Sequence, residues 1–257
     1  MISVNSALLQ AWVIGLLWPL TRVLAVIAIA PILGHQAIPN RVKLGLGILI
    51  TLVIMPTLPT MPVFDVMSLQ GLLLLVQQMV IGLAIGFSMR LVFAAIELAG
   101  YLIAMAMGLG FATFFDPQTR GQSTAISQFL LIIGMLVFLS LDGHLLFVTT
   151  LAQSFITMPI VLDGPSIDAL KIAQWGEMVF SAGLLLAMPV IAALLVTNMA
   201  LGILTRTAPQ LNLFGIGFPI TIGIGFIVLA LSLPNMLKPI ENIIATGTTR
   251  MTEVSAE

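Results

Sequence analysis

Long stretches without Asp, Glu, Lys or Arg make up most of the chain. A helix that crosses the hydrocarbon core of a bilayer needs about 20 apolar residues, and at least five of these stretches reach that length. Several runs inside them are apolar on every face and lack the alternation of a lipid-facing barrel strand. The pattern therefore predicts an all-α membrane protein. The charge-free stretches cover residues 1–21, 23–40, 44–64, 66–89, 98–115, 121–141, 143–162, 178–205 and 207–237.

Turn-forming residues separate the apolar stretches into helical hairpins and predict about six to eight helical segments. Asp142 and Gly143 form a dipeptide that is common in turns, so a turn or a kink is expected there. No linker or low-complexity tract separates a second domain. Residues 1–257 are therefore expected to form one domain that ends in a polar tail, residues 241–257.

Three prolines lie inside apolar stretches, namely Pro19, Pro189 and Pro219. A proline in a helix interior removes one intrahelical hydrogen bond and bends the helix. Lipid cannot satisfy the carbonyl group that is set free. We therefore expect kinks at all three positions, in helices that are surrounded by protein.

The composition excludes a soluble globular protein. Of the 257 residues, 60% are hydrophobic and only 7% are charged, against roughly 25% charged residues in soluble domains. The formal net charge is −1, so the chain lacks the excess of positive charge with which proteins bind nucleic acid. Cysteine is absent, which excludes disulfides, thiolate metal sites and cysteine nucleophiles.

Four ionisable residues within apolar regions are the candidates for chemistry. Arg90 and Glu97 are seven residues apart, hence on one face of a helix, where they could form a transport site or contacts within a bundle. Asp142 and His144 could form an acid–base pair, although a hairpin turn explains them as well. His35 with His144 supplies at most two metal ligands, whereas zinc sites need three or four. No catalytic residue, cofactor site or metal site is therefore predicted.

Small residues recur at the intervals of helix packing. Helices in lipid associate through small side chains that let their backbones approach each other. Gly82 and Gly86 form one such pair. A further run at a constant spacing of four predicts a stripe that lies against another helix. That stripe consists of Gly100, Ala104, Gly108 and Ala112.

Several strings, in order along most of the chain, together resemble one known family. They are WPLTRVL at 18–24, APIL at 30–33, IPNRVKLGL at 38–46, QQMVIG at 77–82, MGLGFATFFDP at 107–117, DGH at 142–144, APQLN at 208–212 and GFP at 217–219. On these strings the chain resembles the flagellar biosynthetic protein FliR family.

The resemblance implies a non-enzymatic subunit of the flagellar type III protein export gate, built with FliP and FliQ into a helical complex. Further partners would be FlhB and FlhA, the exported unfolded flagellar proteins and membrane lipid. The location would be the bacterial inner membrane at the flagellar basal body. The family fold implies that residues 1–122 are similar to FliP and that residues 123–240 include a part similar to FliQ. A self-contained secondary transporter that uses the four ionisable residues is the alternative.

Residues 105–122 resemble the family loop that plugs the closed pore. Flexible Met side chains fit irregular gaps, Gly permits unusual backbone angles, and Phe rings add bulk that can seal a channel. The α region is disfavoured for Asp116 because it precedes Pro117, which ends the helix. The expected plug residues are Met105, Met107, Gly108, Gly110, Phe111, Phe114, Phe115, Asp116 and Pro117.

Overall fold

The structure is a computed structural model that describes residues 6–58, 67–111, 124–161, 169–208 and 217–254. Within these ranges the regular secondary structure is helical and contains no strand. The predicted all-α class is thereby confirmed. The α-helices are α1 (Ser6–Ile29), α2 (Asn40–Ile54), α3 (Leu69–Ala106), α4 (Ala125–Ser140), α5 (Gly143–Thr157), α6 (Ala169–Gln174), α7 (Glu177–Thr207) and α8 (Phe218–Val254), with 3₁₀ turns at Met55–Thr57 and Leu109–Phe111.

Four described helical segments are long and apolar enough to cross a membrane. Their apolar character follows from the scarcity of charge, because a helix that is apolar all round is stable only in lipid or inside protein. The bent pair of α4 and α5 gives a fifth candidate if the two helices are counted as one span. The four segments are Asn40–Thr57, Leu69–Ala106, Ile172–Thr207 and Phe218–Met251.

A residue in the left-handed conformation separates α4 from α5. Asp142 has φ 54° and ψ 27°, which Asp tolerates better than most residues. Its carbonyl accepts hydrogen bonds from the N–H groups of Leu145 and Leu146, at 2.9 and 3.1 Å, and so opens α5. The two helices meet at a bend of 69°. The turn that Asp142 and Gly143 predict is confirmed.

Two of the three prolines expected at kinks lie inside helices. Pro19 is buried within α1, and Pro189 is exposed within α7. The expectation for Pro219 is wrong, because Pro219 is the second residue of α8. The first turn of a helix has no partners for its N–H groups, so a proline there costs no hydrogen bond. The prolines inside α8 are Pro234 and Pro239.

The chain divides into two units, and each is assembled from separated segments. Unit 1 comprises Met1–Leu91, Leu141–Trp175 and Ala245–Glu257, whereas unit 2 comprises Val92–Ser140 and Gly176–Ile244. Each unit has its own apolar core. The predicted likeness of the first part of the chain to FliP and of a later part to FliQ stays a prediction.

The segment predicted as a polar tail continues α8 as far as Val254. Met251 is almost fully buried, and Arg250 donates a hydrogen bond of 3.3 Å to the carbonyl of Trp175 within unit 1. The Arg250 guanidinium carbon also lies 5.7 Å from the centroid of the Trp175 ring, within reach of a cation–π interaction. The last turns of the helix therefore belong to the packed structure of unit 1.

Candidate functional site

The first part of the predicted plug follows directly from the end of α3. The helix ends at Ala106, and the N–H of Gly108 donates to the carbonyl of Met105 at 3.0 Å. Gly108 has φ 83°, a left-handed conformation that ends many helices and that glycine adopts without a steric penalty. The chain leaves the helix here. The plug residues Phe114, Phe115, Asp116 and Pro117 lie outside the described residues, as does Ala112.

Within unit 2, the start of α8 holds this segment. Met107 is fully buried, and a Cβ atom added to Gly225 would lie 2.6 Å from its Cγ atom. A Cβ atom on Gly108 would lie 2.8 Å from the ring of Phe218. Met105 is 50% exposed, and its sulfur lies close to Gly110. Met107 therefore anchors the segment on α8, whereas Met105 remains partly accessible. Phe111 closes the 3₁₀ turn at the end of the described range.

The pair Gly82 and Gly86 lies at the crossing of α1 and α3 in unit 1. A Cβ atom on Gly82 would collide with the Arg22 carbonyl and lie 2.7 Å from the Cβ atom of Ala25. A Cβ atom on Gly86 would lie 2.9 Å from the carbonyl oxygen of Val26. Both glycines therefore allow two helix backbones to touch, as small residues do in membrane proteins.

The first residues of the small-residue stripe are also packed. Gly100 touches the backbone of Ser127 in α4, and a Cβ atom on it would lie 2.8 Å from the Ser127 nitrogen. Ala104 is fully buried in unit 2. Gly108 is beyond the helix end, so its contact with Phe218 involves a turn and not a helical stripe. The functional role of the stripe stays a prediction.

The four ionisable candidates are exposed in this chain. Arg90 and Glu97 lie on one face of α3, two turns apart, and Asp142 and His144 lie at the turn into α5. Within the described ranges, no hydrogen bond or ion pair joins any two of them. No group of three or more His, Asp or Glu residues in those ranges could hold a metal ion. These residues do not form a convergent polar site here.

A buried arginine, which the sequence does not single out, donates four hydrogen bonds inside unit 1. Arg22 is fully buried, and its Nε atom donates to the side-chain oxygen of Gln78 at 2.8 Å. Its Nη1 atom donates to the Ser154 carbonyl at 2.7 Å and to the Ser154 hydroxyl at 3.1 Å. Its Nη2 atom donates to the Met158 carbonyl at 2.8 Å. One side chain thus joins α1, α3 and the end of α5.

These carbonyls explain why a charge is tolerated there. Met158 follows α5 directly, so its carbonyl lacks a partner within the helix. The Ser154 carbonyl, in the last turn of α5, accepts the N–H of Met158 at 2.9 Å and has room for a second donor. The negative end of the helix dipole also favours a cation. Arg22 therefore satisfies the Met158 carbonyl, which would otherwise be buried and unpaired, and adds a second hydrogen bond to the Ser154 carbonyl. The hydrogen-bond partners of Arg22 lie 56 to 136 positions away in sequence. In the sequence, Arg22 is marked only as a single cation that follows 21 charge-free residues.

The sequence is similar to known proteins along almost its whole length. The family described as "Bacterial export proteins, family 1" matches residues 13–247. The chain is 48% identical to the "Flagellar biosynthetic protein FliR" of Pectobacterium carotovorum subsp. carotovorum, over 91% of this chain and 90% of that protein. It is 41% identical to the protein of that name from Escherichia coli (strain K12), with the same coverage. The identity to the Bacillus subtilis (strain 168) protein is 29%, over 86% and 87% of the two chains.

Proposed function

Because the chain belongs to the family of bacterial export proteins, family 1, we propose that it is a non-enzymatic subunit of the flagellar type III protein export gate. It forms, with FliP and FliQ, the membrane pore through which unfolded flagellar proteins are secreted. Its place is the bacterial inner membrane at the flagellar basal body, next to FlhB and FlhA. The observation that carries the proposal is the 48% identity to a flagellar biosynthetic protein over nine-tenths of both chains.

Within this function, residues 105–122 close the pore. The described start of the segment supports the assignment, because Met107 and Gly108 are fixed against α8 while Met105 stays half exposed. The left-handed Gly108 gives the chain a point at which it can turn away from the α3 axis. Such a segment combines a fixed attachment to α8 with flexible methionine side chains that can fill irregular gaps.

A self-contained transporter is less well supported. Such a protein needs polar groups that converge on one substrate site. Arg90 and Glu97 are about two helical turns apart, and within the described ranges none of the four ionisable candidates is bonded to another.

Purification of the complex tests the proposed function. The chain carries an affinity tag, replaces the native subunit in a flagellated bacterium and is isolated in mild detergent. FliP and FliQ should copurify in one large complex, and the strain should secrete flagellin. An unrelated tagged protein with several membrane spans serves as the control. Recovery of the chain as a monomer or as a symmetric homo-oligomer, without FliP and FliQ, would contradict the proposal and favour the transporter.

A further inference from the structure

Helix α2 has one face against α1 and an opposite face that is exposed. The packed face contains Gly47, where an added Cβ atom would lie 2.5 Å from the Cδ2 atom of Leu24, together with the buried Thr51 and Ile54. The exposed positions recur at intervals of three and four residues, which is the repeat of a single helix face. We call them the α2 face. The α2 face consists of Arg41, Val42, Gly45, Leu49, Leu52 and Val53.

Beyond its first turn, the α2 face is purely aliphatic. Val42, Leu49 and Val53 are 55%, 61% and 71% exposed, and residues 40–58 contain no aromatic side chain. The centres of protein interfaces are enriched in Tyr, Trp and Arg, whereas Leu and Val are the side chains that enter hydrocarbon most readily. Only 17% of the candidate span Asn40–Thr57 is buried. The α2 face therefore has the composition of a surface for acyl chains.

Both cations of α2 lie in its first turn, at one end of this aliphatic surface. Arg41 is exposed and has no hydrogen-bond or ion-pair partner among the described residues. The Nζ atom of Lys43 donates to the carbonyl of Gly34 at 2.9 Å, in the segment that precedes the helix. Its charge is thereby held at the start of α2 and away from the aliphatic part. Residues 1–64 contain no Asp or Glu, so no carboxylate close in sequence neutralises either cation.

We propose that the α2 face lies against the acyl chains of the membrane and that Arg41 and Lys43 bind the phosphate group of an anionic phospholipid. A guanidinium group can donate two parallel hydrogen bonds to one phosphate, and an ammonium group adds a compact charge. Gly45 follows Arg41 by one turn and has nothing within 4 Å of an added Cβ atom, which leaves room beside the helix for the lipid. An anionic lipid is preferred because a zwitterionic headgroup brings a cation of its own.

This inference goes beyond the proposed function, because it concerns only the chain and the membrane. A basic residue near an anionic membrane surface gains an attraction that corresponds to about a fivefold preference for the anionic lipid. The preference would hold for a subunit of an export gate and for a self-contained transporter alike.

Quenching by brominated phospholipids tests the site. The tagged full-length chain is purified with the subunits that accompany it and is placed in nanodiscs of equal amounts of phosphatidylglycerol and phosphatidylcholine. An environment-sensitive fluorescent amino acid replaces Val42, or Val196 of α7 in the control chain. Val196 is 69% exposed in another candidate span and lies ten positions from the nearest charged residue, Arg206. Bromine is carried by the acyl chains of one lipid at a time.

The relative binding constant of the two lipids is obtained from the quenching. It should favour phosphatidylglycerol about fivefold at position 42 and should be about one at position 196, where no cation is near. Arg41→Gln combined with Lys43→Gln removes both positive charges from a helix start that stays polar. This variant should lower the constant at position 42 to about one.

High salt provides a measurement without any substitution. In about 1 M sodium chloride the screening length falls to about 3 Å, so the unmodified cations should lose most of the preference at position 42. The salt result therefore tests the site even where the doubly substituted chain assembles poorly. Detergent without lipid offers no phosphate group to these residues, so the thermal midpoint measured there does not report on the site.

The outcomes separate this inference from the proposed function. Strong quenching at position 42 by both lipids without a preference overturns the anionic site, as does a preference that persists without the charges or in high salt. Weak quenching by either lipid at position 42 would mean that protein covers the α2 face, which also overturns the inference. Absence of FliP and FliQ from the purified unmodified chain contradicts the proposed function alone.

Discussion

The guanidinium carbon of Arg22 lies 4.1 Å from the centroid of the Phe155 ring, inside unit 1. A cation over an aromatic face is attracted by the ring quadrupole, most strongly where water is excluded. The described residues give Arg22 no carboxylate partner, so the ring, two carbonyls, a hydroxyl and the Gln78 oxygen hold the charge together. Removal of any of these partners would leave a buried positive charge less well satisfied, which is energetically costly.

Loss of Arg22 should destabilise the protein strongly. Arg22→Met keeps much of the bulk but leaves the Met158 carbonyl and the Gln78 side-chain oxygen without a donor, which should cost about 1–3 kcal/mol for each acceptor. Arg22→Lys should recover only part of this loss, since an ammonium group cannot reproduce the planar fork of donors. The thermal midpoint of the purified complex is the measurement. Arg41→Met, at an exposed position, is the control and should change the midpoint little; equal effects at both positions would refute the role of burial.

Gln78→Glu should be tolerated, whereas Gln78→Leu should not. The Gln78 nitrogen is buried without a hydrogen-bond partner in the described structure, while its oxygen accepts from Arg22. A carboxylate would replace the unpaired donor with an acceptor and could receive the Nε and Nη2 donors of Arg22 together. Leucine would remove the acceptor at a cost of about 1–3 kcal/mol. Thermal unfolding of the two variants compares them, and a loss in the Glu variant equal to that in the Leu variant would contradict the expectation.

Gly82→Ala should be far more damaging than Gly45→Ala. The added Cβ atom at Gly82 meets the main-chain carbonyl of Arg22, which cannot move without displacing α1, and overpacking of this kind costs about 1–3 kcal/mol. Gly45 lies in α2 with nothing within 4 Å of the added atom. Alanine there should stabilise the helix by up to about 1 kcal/mol. Complex recovery and thermal midpoint are measured for both, and similar losses would show that the α1–α3 contact is not tight.

Ala104→Leu should impair assembly. Ala104 is fully buried, so the larger side chain must displace its neighbours in unit 2 at a cost of about 1–3 kcal/mol. The matched control is Gly202→Leu in α7, where nothing lies within 4 Å of an added Cβ atom. Motility in soft agar and recovery of the complex are the readouts. Normal motility and assembly of the Ala104→Leu strain would remove the packing role predicted for the stripe.

Features that depend on neighbouring residues could be predicted from the sequence, and features that depend on distant ones could not. The turn at Asp142 follows from the Asp-Gly dipeptide, and the helical class follows from the uninterrupted apolar stretches. The expectation of a kink at Pro219 is wrong because the charge-free residues from 207 to 237 extend across the start of α8. Apolar composition alone does not reveal where a helix begins. The role of Arg22 does not follow from the sequence, because its partners come from two distant places in the chain, α3 and the end of α5.

The plug prediction can be tested by leakage through the assembled gate. Deletion of residues 110–121 should raise the permeability of the membrane to small molecules while FliP and FliQ still copurify. Uptake of a membrane-impermeant dye by cells that make the complex is the measurement. An intact complex that stays as tight as the wild type would refute the assignment of residues 105–122 as the seal.

Gly225→Leu should also raise the permeability of the gate, but less than deletion of residues 110–121 does. Its side chain would occupy the space of Met107, whose Cγ, Cε and Sδ atoms all lie within 3.1 Å of the added Cβ atom. Met107, which is buried against α8, would have to move away from that helix. The segment that follows Met107 would then lose its attachment to α8. Gly223→Leu is a closely matched control on the same helix, since nothing lies within 4 Å of its added Cβ atom. Dye uptake should therefore rise for Gly225→Leu and stay at the wild-type level for Gly223→Leu. Equal uptake in the two strains, with both complexes intact, would mean that the contact between Met107 and α8 does not hold the pore closed.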